Sequence, residues 1–347
     1  MDNRNPPSRL RGNTVTLSHG GGGRAMKDLI DEVFADAFGV DTTEDQARLT
    51  DAALAEPGAR LAFTTDSFVV DPVEFRGGDI GKIAVCGTVN DLCVGGARPL
   101  WLSAAFILEE GCEIGLLRRV VGSMRDEAEK AGVRIVTGDT KVVERGSADR
   151  LFITTSGVGV IPPGRHLAAA TIRPGDVAIV SGVLGDHGAA ILAARGEMAM
   201  SSDIRSDCAG LGHLIEAVLK AAPLVRAARD CTRGGLASAL NEMALAAGCA
   251  VEINETDLPL RPEVRGMCEI LGLDPLYLAN EGTLVLFAPE NQADAALAAM
   301  RNVDTGRHAA VIGRARLGEP GRVTMRTAFG GQRIVDMLVG EQLPRIC

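Results

Sequence analysis

The Pro162-Pro163-Gly164 step near the middle of the chain limits the folds that are open to this sequence. Two prolines followed by a glycine interrupt helices and strands alike, so the step is typical of a hinge. The 347 residues also exceed the size of one typical hydrophobic core, which predicts two domains. We therefore expect one domain at residues 48–162 and a second at 163–335.

Each half of the chain mixes strand-like apolar runs with helical periodicity. In the first half, the predicted strands are 60–70, 99–108, 133–143 and 150–163, and the predicted helices are 79–96 and 113–132. Several strands follow one another through short links, so we predict an α+β fold of two α/β domains with mixed sheets, rather than a doubly wound sheet. We also expect a glycine-rich segment with an amphipathic helix at residues 1–47, and a flexible tail at residues 336–347.

Composition excludes several classes of protein. A formal net charge of −9 argues against electrostatic capture of nucleic acid or of an anionic membrane. The N-terminus has no apolar signal sequence and no run is long enough to span a membrane, so we expect a cytoplasmic protein. The eight cysteines include no CxxC pair, which argues against a zinc or iron–sulfur site. Most of them are expected to be buried, with the terminal Cys347 as the exception.

Four consecutive glycines precede the first predicted helix: Gly20, Gly21, Gly22 and Gly23. Glycines let a backbone approach an anion closely, and a helix N-terminus offers free N–H groups. The pattern is neither GxGxxG nor the GxxxxGK[ST] loop. A flexible linker and an ordered lid over phosphate both remain open.

Four aspartates stand beside apolar segments: Asp66, Asp91, Asp139 and Asp230. An isolated carboxylate is costly to bury, and magnesium prefers oxygen ligands from one or two carboxylates, phosphate and water. Together they suit magnesium ions that bridge a triphosphate. Each one could instead cap a helix or close a turn.

Three further charged residues are candidates for chemistry. Lys141 follows Asp139 by two residues, which places both on the same face of a strand. Arg233 stands before Gly234 and Gly235 at a predicted helix start, where it could reach phosphate. Glu281 precedes an apolar strand. The alternatives are that Lys141 is an exposed strand residue, that the segment around Arg233 only initiates a helix, and that Glu281 lies in a surface turn.

Taken together, these segments resemble the hydrogenase maturation factors of the HypE family. The segments that carry the resemblance are LSHGGGG, TTDSFVVDP, GDIGKIAVCGTVNDLCVGGARP, GDTKVV, GDHG, CTRGGLASALNE, NEGTLV and the closing PRIC. That family is similar in turn to aminoimidazole ribonucleotide synthetase and selenophosphate synthetase. The resemblance implies a two-domain ATP-binding fold that dimerises through its N-terminal domain.

The resemblance also implies a reaction and its participants. A HypF-type carbamoyltransferase would carbamoylate Cys347, and ATP-dependent dehydration would convert the S-carboxamide into a thiocyanate. A HypC–HypD complex would receive the cyano group for nickel–iron hydrogenase. The four aspartates would hold Mg²⁺ or phosphate, and Asn90, Thr140 and the four glycines would contact ATP. Glu281 and Lys141 are the candidates for proton removal and its support, and the tail is expected to swing between two positions.

Three other functions remain open at this stage. A selenophosphate synthetase typically carries a cysteine or selenocysteine in its glycine-rich segment, and SHGGGGRAMKDL contains neither. A non-enzymatic thiol carrier would show no thiol-dependent cleavage of ATP. A small-molecule kinase of the same superfamily would keep its activity without Cys347.

Overall fold

The structure, a computed structural model, describes residues 10, 12–40, 46–196, 203–338, 340 and 343–347. Part of the expected N-terminal segment and part of the tail thus lie outside the described residues. Over the described ranges, no helix has the length and apolar character needed to cross a bilayer.

A four-stranded sheet forms the first half of the molecule, in the order β1-β6-β4-β5. Its strands are β1 (Arg60–Phe68), β4 (Arg98–Glu109), β5 (Arg134–Val143) and β6 (Leu151–Ile161), and β2 (Glu74–Phe75) and β3 (Gly78–Asp79) form a separate hairpin. β4 pairs with β5 in parallel and with β6 antiparallel, so the predicted mixed sheet is confirmed.

Two helices pack on one face of this sheet, α3 (Ile80–Val94) and α4 (Ile114–Ala131). The Asp79 side chain caps α3 by accepting a hydrogen bond from the Lys82 N–H at 2.9 Å. The helix predicted at 79–96 is thereby confirmed, and it ends before Gly95 and Gly96. On the opposite face of the sheet, Ala53 of a short 3₁₀ turn packs against Leu100, Trp101 and Val160.

The N-terminal segment folds against the β5 edge of the sheet. A 3₁₀ turn (Leu17–Gly20) precedes α1 (Arg24–Leu29), a π-helical stretch (Ile30–Ala35) and α2 (Asp36–Phe38). Here the ring of Phe34 stacks 4.7 Å from that of Phe106 on β4.

A seven-stranded mixed sheet forms the second half, in the order β13-β12-β9-β11-β7-β10-β8. Its strands are β7 (Val177–Val180), β8 (Ala227–Asp230), β9 (Ala250–Asn254), β10 (Leu284–Ala288), β11 (Ala310–Arg316), β12 (Val323–Arg326) and β13 (Gln332–Ile334). β12 runs parallel to β9, and the other pairs are antiparallel.

Five helices accompany this sheet: α5 (Asp186–Ala194), α6 (Gly212–Ala221), α7 (Gly235–Ala247), α8 (Pro262–Leu271) and α9 (Glu290–Arg301). Short 3₁₀ turns occur at Ala52–Ala55, Ala169–Thr171, Glu255–Asp257, Pro275–Tyr277 and Asp304–Gly306. The helix start predicted after Arg233 is confirmed as the start of α7. The largest apolar cluster includes residues of both halves, so the two halves share a continuous core.

Candidate active site

An acidic cavity of about 210 Å³ lies where the two halves of the molecule meet. Four of the predicted site residues line it: Asp66 on β1, Asp91 on α3, Asp230 at the end of β8, and Arg233 just before α7. These residues are far apart in sequence, so the fold itself brings them together.

The alternation of side chains along β1 explains how Asp66 and Asp91 come to lie together. Thr64 and Asp66 are two residues apart and therefore face the same side of the strand, towards α3. The Thr64 hydroxyl donates a hydrogen bond to Asp91 Oδ2 at 2.8 Å. Gly87 of α3 lies over this strand, and a side chain there would press on the Phe68 ring. The glycine therefore permits the close approach that brings Asp91 beside Asp66.

The cavity carries more negative charge than its own cations compensate. Burial, reinforced by the neighbouring Asp91, raises the pKa of Asp230 to about 6. Burial likewise raises the pKa of Asp91, with a smaller contribution from Asp66. Arg233 lies 3.7 Å from Asp66, and Arg229 pairs with Glu242 on the cavity wall. A carboxylate group of this kind fits a cation.

Glu281 stands behind this cavity as a buried acid. It is 2% exposed, and among the residues that the structure describes its Oε1 has no hydrogen-bond partner. Burial raises its pKa well above the usual range, and the carboxylates of Asp207, Asp230 and Asp66 add to the effect. An unpartnered buried acceptor is costly, so its position here fits a group that receives a donor from a bound substrate.

Asp207 fixes the backbone around Glu281. Its two carboxylate oxygens accept the N–H groups of Glu281 and Gly282, each at 3.0 Å, and the Thr283 hydroxyl at 3.0 Å. Gly282 has no room for a side chain, because a Cβ there would lie 1.9 Å from the Asp207 carbonyl oxygen. The predicted Asn-Glu-Gly segment is thus a tightly held loop rather than a surface turn.

The terminal Cys347 is half-buried, and its carbonyl accepts the Val69 N–H at 3.1 Å, just beyond the end of β1. Burial raises the pKa of its thiol well above the usual range, and Glu281 is the charged side chain that contributes most. Asp66, Asp230 and Arg233 also act on the sulfur. The structure therefore joins Cys347, Glu281 and three residues of the acidic cavity in one site.

The structure places Asp139, Thr140 and Lys141 on the opposite edge of the sheet. They belong to β5, and three strand spacings separate β5 from β1, about 14 Å. Lys141 Nζ lies 3.1 Å from Asp139 Oδ2, which confirms that the two share a face. Because sheet order is not written in the sequence, the predicted convergence of all four aspartates does not occur within one protomer.

The glycine-rich segment accompanies β5 rather than the acidic cavity. A side chain at Gly20 would lie 2.9 Å from Val142 Cβ, so the absence of one lets the segment lie against the strand. Gly22 adopts a positive φ of 74°, and Gly23 occupies the N-cap of α1. The lid over phosphate stays a prediction.

Asn90 is buried and its amide joins the two halves of the molecule. Its Nδ2 donates to the Ala209 carbonyl at 3.0 Å, and its Oδ1 accepts the Leu211 N–H at 2.7 Å. Contact with a nucleotide would have to compete with these bonds.

Three residues around the site were not predicted from the sequence. They are Asp207, then His187, whose Nε2 lies 2.8 Å from the Ile346 carbonyl oxygen, and Arg195, whose Nη2 donates to the carbonyls of Pro344 and Arg345, each at 2.7 Å. The segment GDHG contributed to the family resemblance and was the one signal for His187. Neither Asp207 nor Arg195 stands in a pattern that indicates a role. Among the described residues, no group of three or more His, Cys, Asp or Glu side chains is arranged as a ready metal cage.

Comparison with known proteins agrees with this architecture. Residues 49–161 match the family model "AIR synthase related protein, N-terminal domain", and residues 173–326 match the corresponding C-terminal domain. The two sheets and the acidic cavity between them thus define a protein of the AIR synthase-related class.

Within this class, the similarity to one group extends over nearly the whole chain. "Carbamoyl dehydratase HypE" of Rhodobacter capsulatus is 74% identical over 97% of this chain and 99% of its own length. The chain belongs to the HypE family. A crystal structure of hydrogenase maturation protein HypE in complex with ATP is 46% identical, with a TM-score of 0.90, over 96% of this chain and all of that one. A HypE–HypF complex is 45% identical with a TM-score of 0.78, over 89% of this chain and 99% of that one.

Proposed function

We propose that this protein is an ATP-dependent carbamoyl dehydratase that converts an S-carboxamide on its own Cys347 into a thiocyanate. The observation that carries the proposal is that Cys347, held by the bond from the Val69 N–H to its carbonyl, lies near enough to the buried Glu281 side chain for the two to interact electrostatically. The names of its relatives, carbamoyl dehydratase and a HypE bound to ATP, support the same reaction.

The reaction needs a leaving group and an acceptor for two N–H protons. Overall, S–C(=O)–NH₂ and ATP give S–C≡N, ADP and phosphate. When bound, ATP with magnesium supplies the phosphoryl group that turns the amide oxygen into a leaving group. Glu281 Oε1 accepts an N–H of the carboxamide, and its raised pKa gives it the proton affinity that a base needs.

The acidic cavity is the proposed place for magnesium. Asp66, Asp91 and Asp230 would supply carboxylate oxygens, and Arg233 would face the phosphate groups. Magnesium takes one or two carboxylates and completes its shell with phosphate oxygens and water, so no ready protein cage is required. The raised pKa values of Asp91 and Asp230 support this assignment, because a cation would relieve their repulsion.

The missing half of the nucleotide site is proposed to come from a second copy of the chain. The open face of the first sheet exposes Leu61 at 67%, Phe63 at 72% and Ile107 at 43%. Asp139 and Lys141 lie on this same face. A two-fold axis parallel to the strands would place β5 of one copy opposite β1 of the other. The homodimer would then bring Asp139, Thr140, Lys141 and Gly20–Gly23 to the acidic cavity, with Lys141 supporting proton removal.

The proposed partners follow from the sequence of reactions on one sulfur. The existence of a HypE–HypF complex supports a HypF-type carbamoyltransferase as the source of the carbamoyl group. A HypC–HypD complex would take the cyano group as an iron ligand for nickel–iron hydrogenase. Both must reach Cys347, so the tail would leave its docked position, and we place these steps in the cytoplasm.

Intact-mass measurement on a two-stage reaction tests this function. The chain is first incubated with a HypF-type carbamoyltransferase, carbamoyl phosphate and ATP, and is then purified away from the transferase. Because the first stage already contains ATP, we expect it to give a carbamoyl adduct at Cys347 that has in part lost one water, and fresh ATP with magnesium in the second stage should complete that loss. Glu281→Gln should keep the adduct without losing water, and Cys347→Ala should acquire no adduct.

The same experiment separates the alternative functions. A thiol carrier would keep its adduct indefinitely with ATP present. A small-molecule kinase would cleave ATP equally well in Cys347→Ala. Either result would overturn the proposal.

A further inference from the structure

The two aspartates that the first half of the molecule contributes to the acidic cavity each have one carboxylate oxygen held by a protein donor. The Thr64 hydroxyl donates to Oδ2 of Asp91 at 2.8 Å, and the Ser67 N–H donates to Oδ1 of Asp66 at 2.8 Å. Arg233 Nη2 also lies 3.7 Å from this Oδ1 of Asp66. No hydrogen bond from the described part of the chain reaches Oδ1 of Asp91 or Oδ2 of Asp66. Each carboxylate therefore has a single oxygen to offer to a ligand.

The bond from Thr64 depends on two glycines that let α3 approach the sheet closely. Thr64 pairs with Gly157 of β6, where a Cβ would lie 2.7 Å from Cγ2 of Thr88 on α3. At Gly87 of α3, a Cβ would lie 3.0 Å from an aromatic ring of β1. A side chain at either glycine would push the helix away from β1 and lengthen the bond to Asp91. The packing of α3 on the sheet thus fixes the hydroxyl against the carboxylate.

Thr64 differs in this respect from the other hydroxyl residues of β1. Thr65 Oγ1 donates to the Thr155 carbonyl of β6 at 3.1 Å, and Ser67 Oγ lies 3.0 Å from Thr154 Oγ1 on the same strand. Those two hydroxyls therefore bond within the sheet. The Thr64 hydroxyl instead bonds across to a carboxylate of the helix.

The number of oxygens that a carboxylate offers separates the common divalent cations. Ca²⁺ takes roughly six to eight oxygen ligands at 2.3–2.6 Å and accepts carboxylates through both oxygens, whereas Mg²⁺ requires near-octahedral geometry at about 2.0–2.1 Å. A carboxylate that has one oxygen in a hydrogen bond binds through the other oxygen only, which suits Mg²⁺. For Asp91 to bind Ca²⁺ through both oxygens, the bond from Thr64 would have to break.

We propose that Thr64 is a specificity-determining residue, which holds Asp91 in a one-oxygen binding mode and thereby selects Mg²⁺ over Ca²⁺ in the acidic cavity. Thr64 acts through Asp91, so it is a positioning residue. This selectivity rests on the proposed function only in taking the acidic cavity as the place of the cation that accompanies ATP. It does not depend on the dehydration at Cys347.

Calorimetric titration of the full-length, uncarbamoylated chain with ATP, in saturating Mg²⁺ and separately in saturating Ca²⁺, tests this selectivity. Thr64→Val keeps the shape of the side chain but removes the donor, so Oδ2 of Asp91 becomes free. We expect ATP affinity to fall about tenfold in Mg²⁺, as on loss of a residue that orients a metal ligand, and to hold or rise in Ca²⁺. The ratio of the two affinities should therefore fall by at least about tenfold.

Infrared difference spectra give a readout that a merely structural role would not change. The antisymmetric and symmetric stretches of a carboxylate lie closer together in frequency when both oxygens bind one cation. With Ca²⁺ and ATP bound, Thr64→Val should show such a closely spaced pair of bands. The further change Asp91→Asn should remove this pair, and the wild-type chain should show no pair that Asp91→Asn removes.

Two variants separate cation selection from general damage. Thr64→Ser keeps a hydroxyl and should restore the wild-type ratio of affinities. Thr256→Val is a matched control, because the Thr256 hydroxyl lies 3.5 Å from Oδ1 of Asp257 in an exposed turn of the second half. This control should leave the ratio unchanged.

The outcomes keep the selectivity and the proposed function distinguishable. An equal loss of ATP affinity in Mg²⁺ and in Ca²⁺ in Thr64→Val would overturn the role of Thr64, as would a wild-type chain that binds ATP equally well with either cation. If Thr64→Val does not fold, the wild-type spectra decide, because binding of Ca²⁺ through both oxygens of Asp91 there would also overturn it. Failure of the proposed function would instead appear as retention of water in the carbamoylated wild-type chain.

Discussion

Asp207 holds Glu281 by its backbone: the N–H of Glu281 donates to Asp207 Oδ1 at 3.0 Å, deep in the protein. The hydroxyl of the neighbouring Ser206 lies 2.8 Å from Nδ1 of His187, whose Nε2 contacts the Ile346 carbonyl oxygen of the tail. One short segment therefore positions both the buried acid and the sulfur, on which the proposed dehydration depends.

Asp207→Asn should change the pH dependence of dehydration. The negative charge of Asp207 raises the pKa of Glu281, so its removal should shift the acidic limb of the rate profile to lower pH. Loss of one acceptor among three bonds should also cost about 1–3 kcal/mol of stability. Single-turnover dehydration rates measured across pH test this shift, with Asp304→Asn as a surface control. An unshifted rate profile in Asp207→Asn would contradict the role of Asp207.

Asp91→Asn should weaken magnesium-dependent ATP binding by at least about tenfold, as expected on removal of a group that supports a metal. Calorimetric titration with and without Mg²⁺ measures the effect. The free protein should melt at a higher temperature, because burial and Asp66 disfavour the ionised Asp91, whose pKa is raised. Unchanged affinity would remove Asp91 from the proposed magnesium site.

Phe63→Glu should separate the proposed dimer. Phe63 is 72% exposed in the protomer, so the substitution leaves the fold intact but places a charge on the open sheet face. Sedimentation should show a monomer whose ATP affinity is reduced, since the β5 edge of the other copy is lost. Phe329→Glu is a matched control, because Phe329 is fully exposed near the second sheet. A dimer that persists in Phe63→Glu would contradict the arrangement.

Stability should fall in acid through His187. Burial lowers its pKa from 6.5 to about 4, and its neighbours Ser206, Phe75 and the Ile346 carbonyl are neutral. The unfolded state therefore binds a proton at higher pH than the folded state. The free energy of unfolding should drop by roughly 3 kcal/mol as pH falls from 6.5 to about 4.

Urea unfolding at several pH values, for wild type and His187→Gln, isolates this contribution. The difference between the two proteins should vary across that window and level off above pH 6.5. A pH-independent difference would show that His187 has an ordinary pKa.

Local patterns and side-chain chemistry predicted much of this molecule. The helix at 79–96 could be predicted because polar and glycine residues mark its two ends. Asp66, Asp91 and Asp230 could be predicted as site residues because an isolated carboxylate beside an apolar run is costly to bury. By contrast, α5 is apolar around most of its circumference and lacks the helical period that would indicate it.

Long-range pairing accounts for what the sequence could not predict. The position of Asp139 depends on β5 lying at the far edge of the sheet, and strand order has no local signature. The Asn90 amide bonds to a segment more than a hundred residues away, so its joining role emerges only in three dimensions. Asp207 stands in no motif at all.

The raised pKa of the docked Cys347 has a chemical consequence for the whole cycle. Thiols react as thiolates, so a sulfur that keeps its proton is quiet towards electrophiles, oxidants and stray soft metals. The docked position therefore protects the Cys347 thiol, and its reactivity depends on whether the chain end is buried or exposed to solvent.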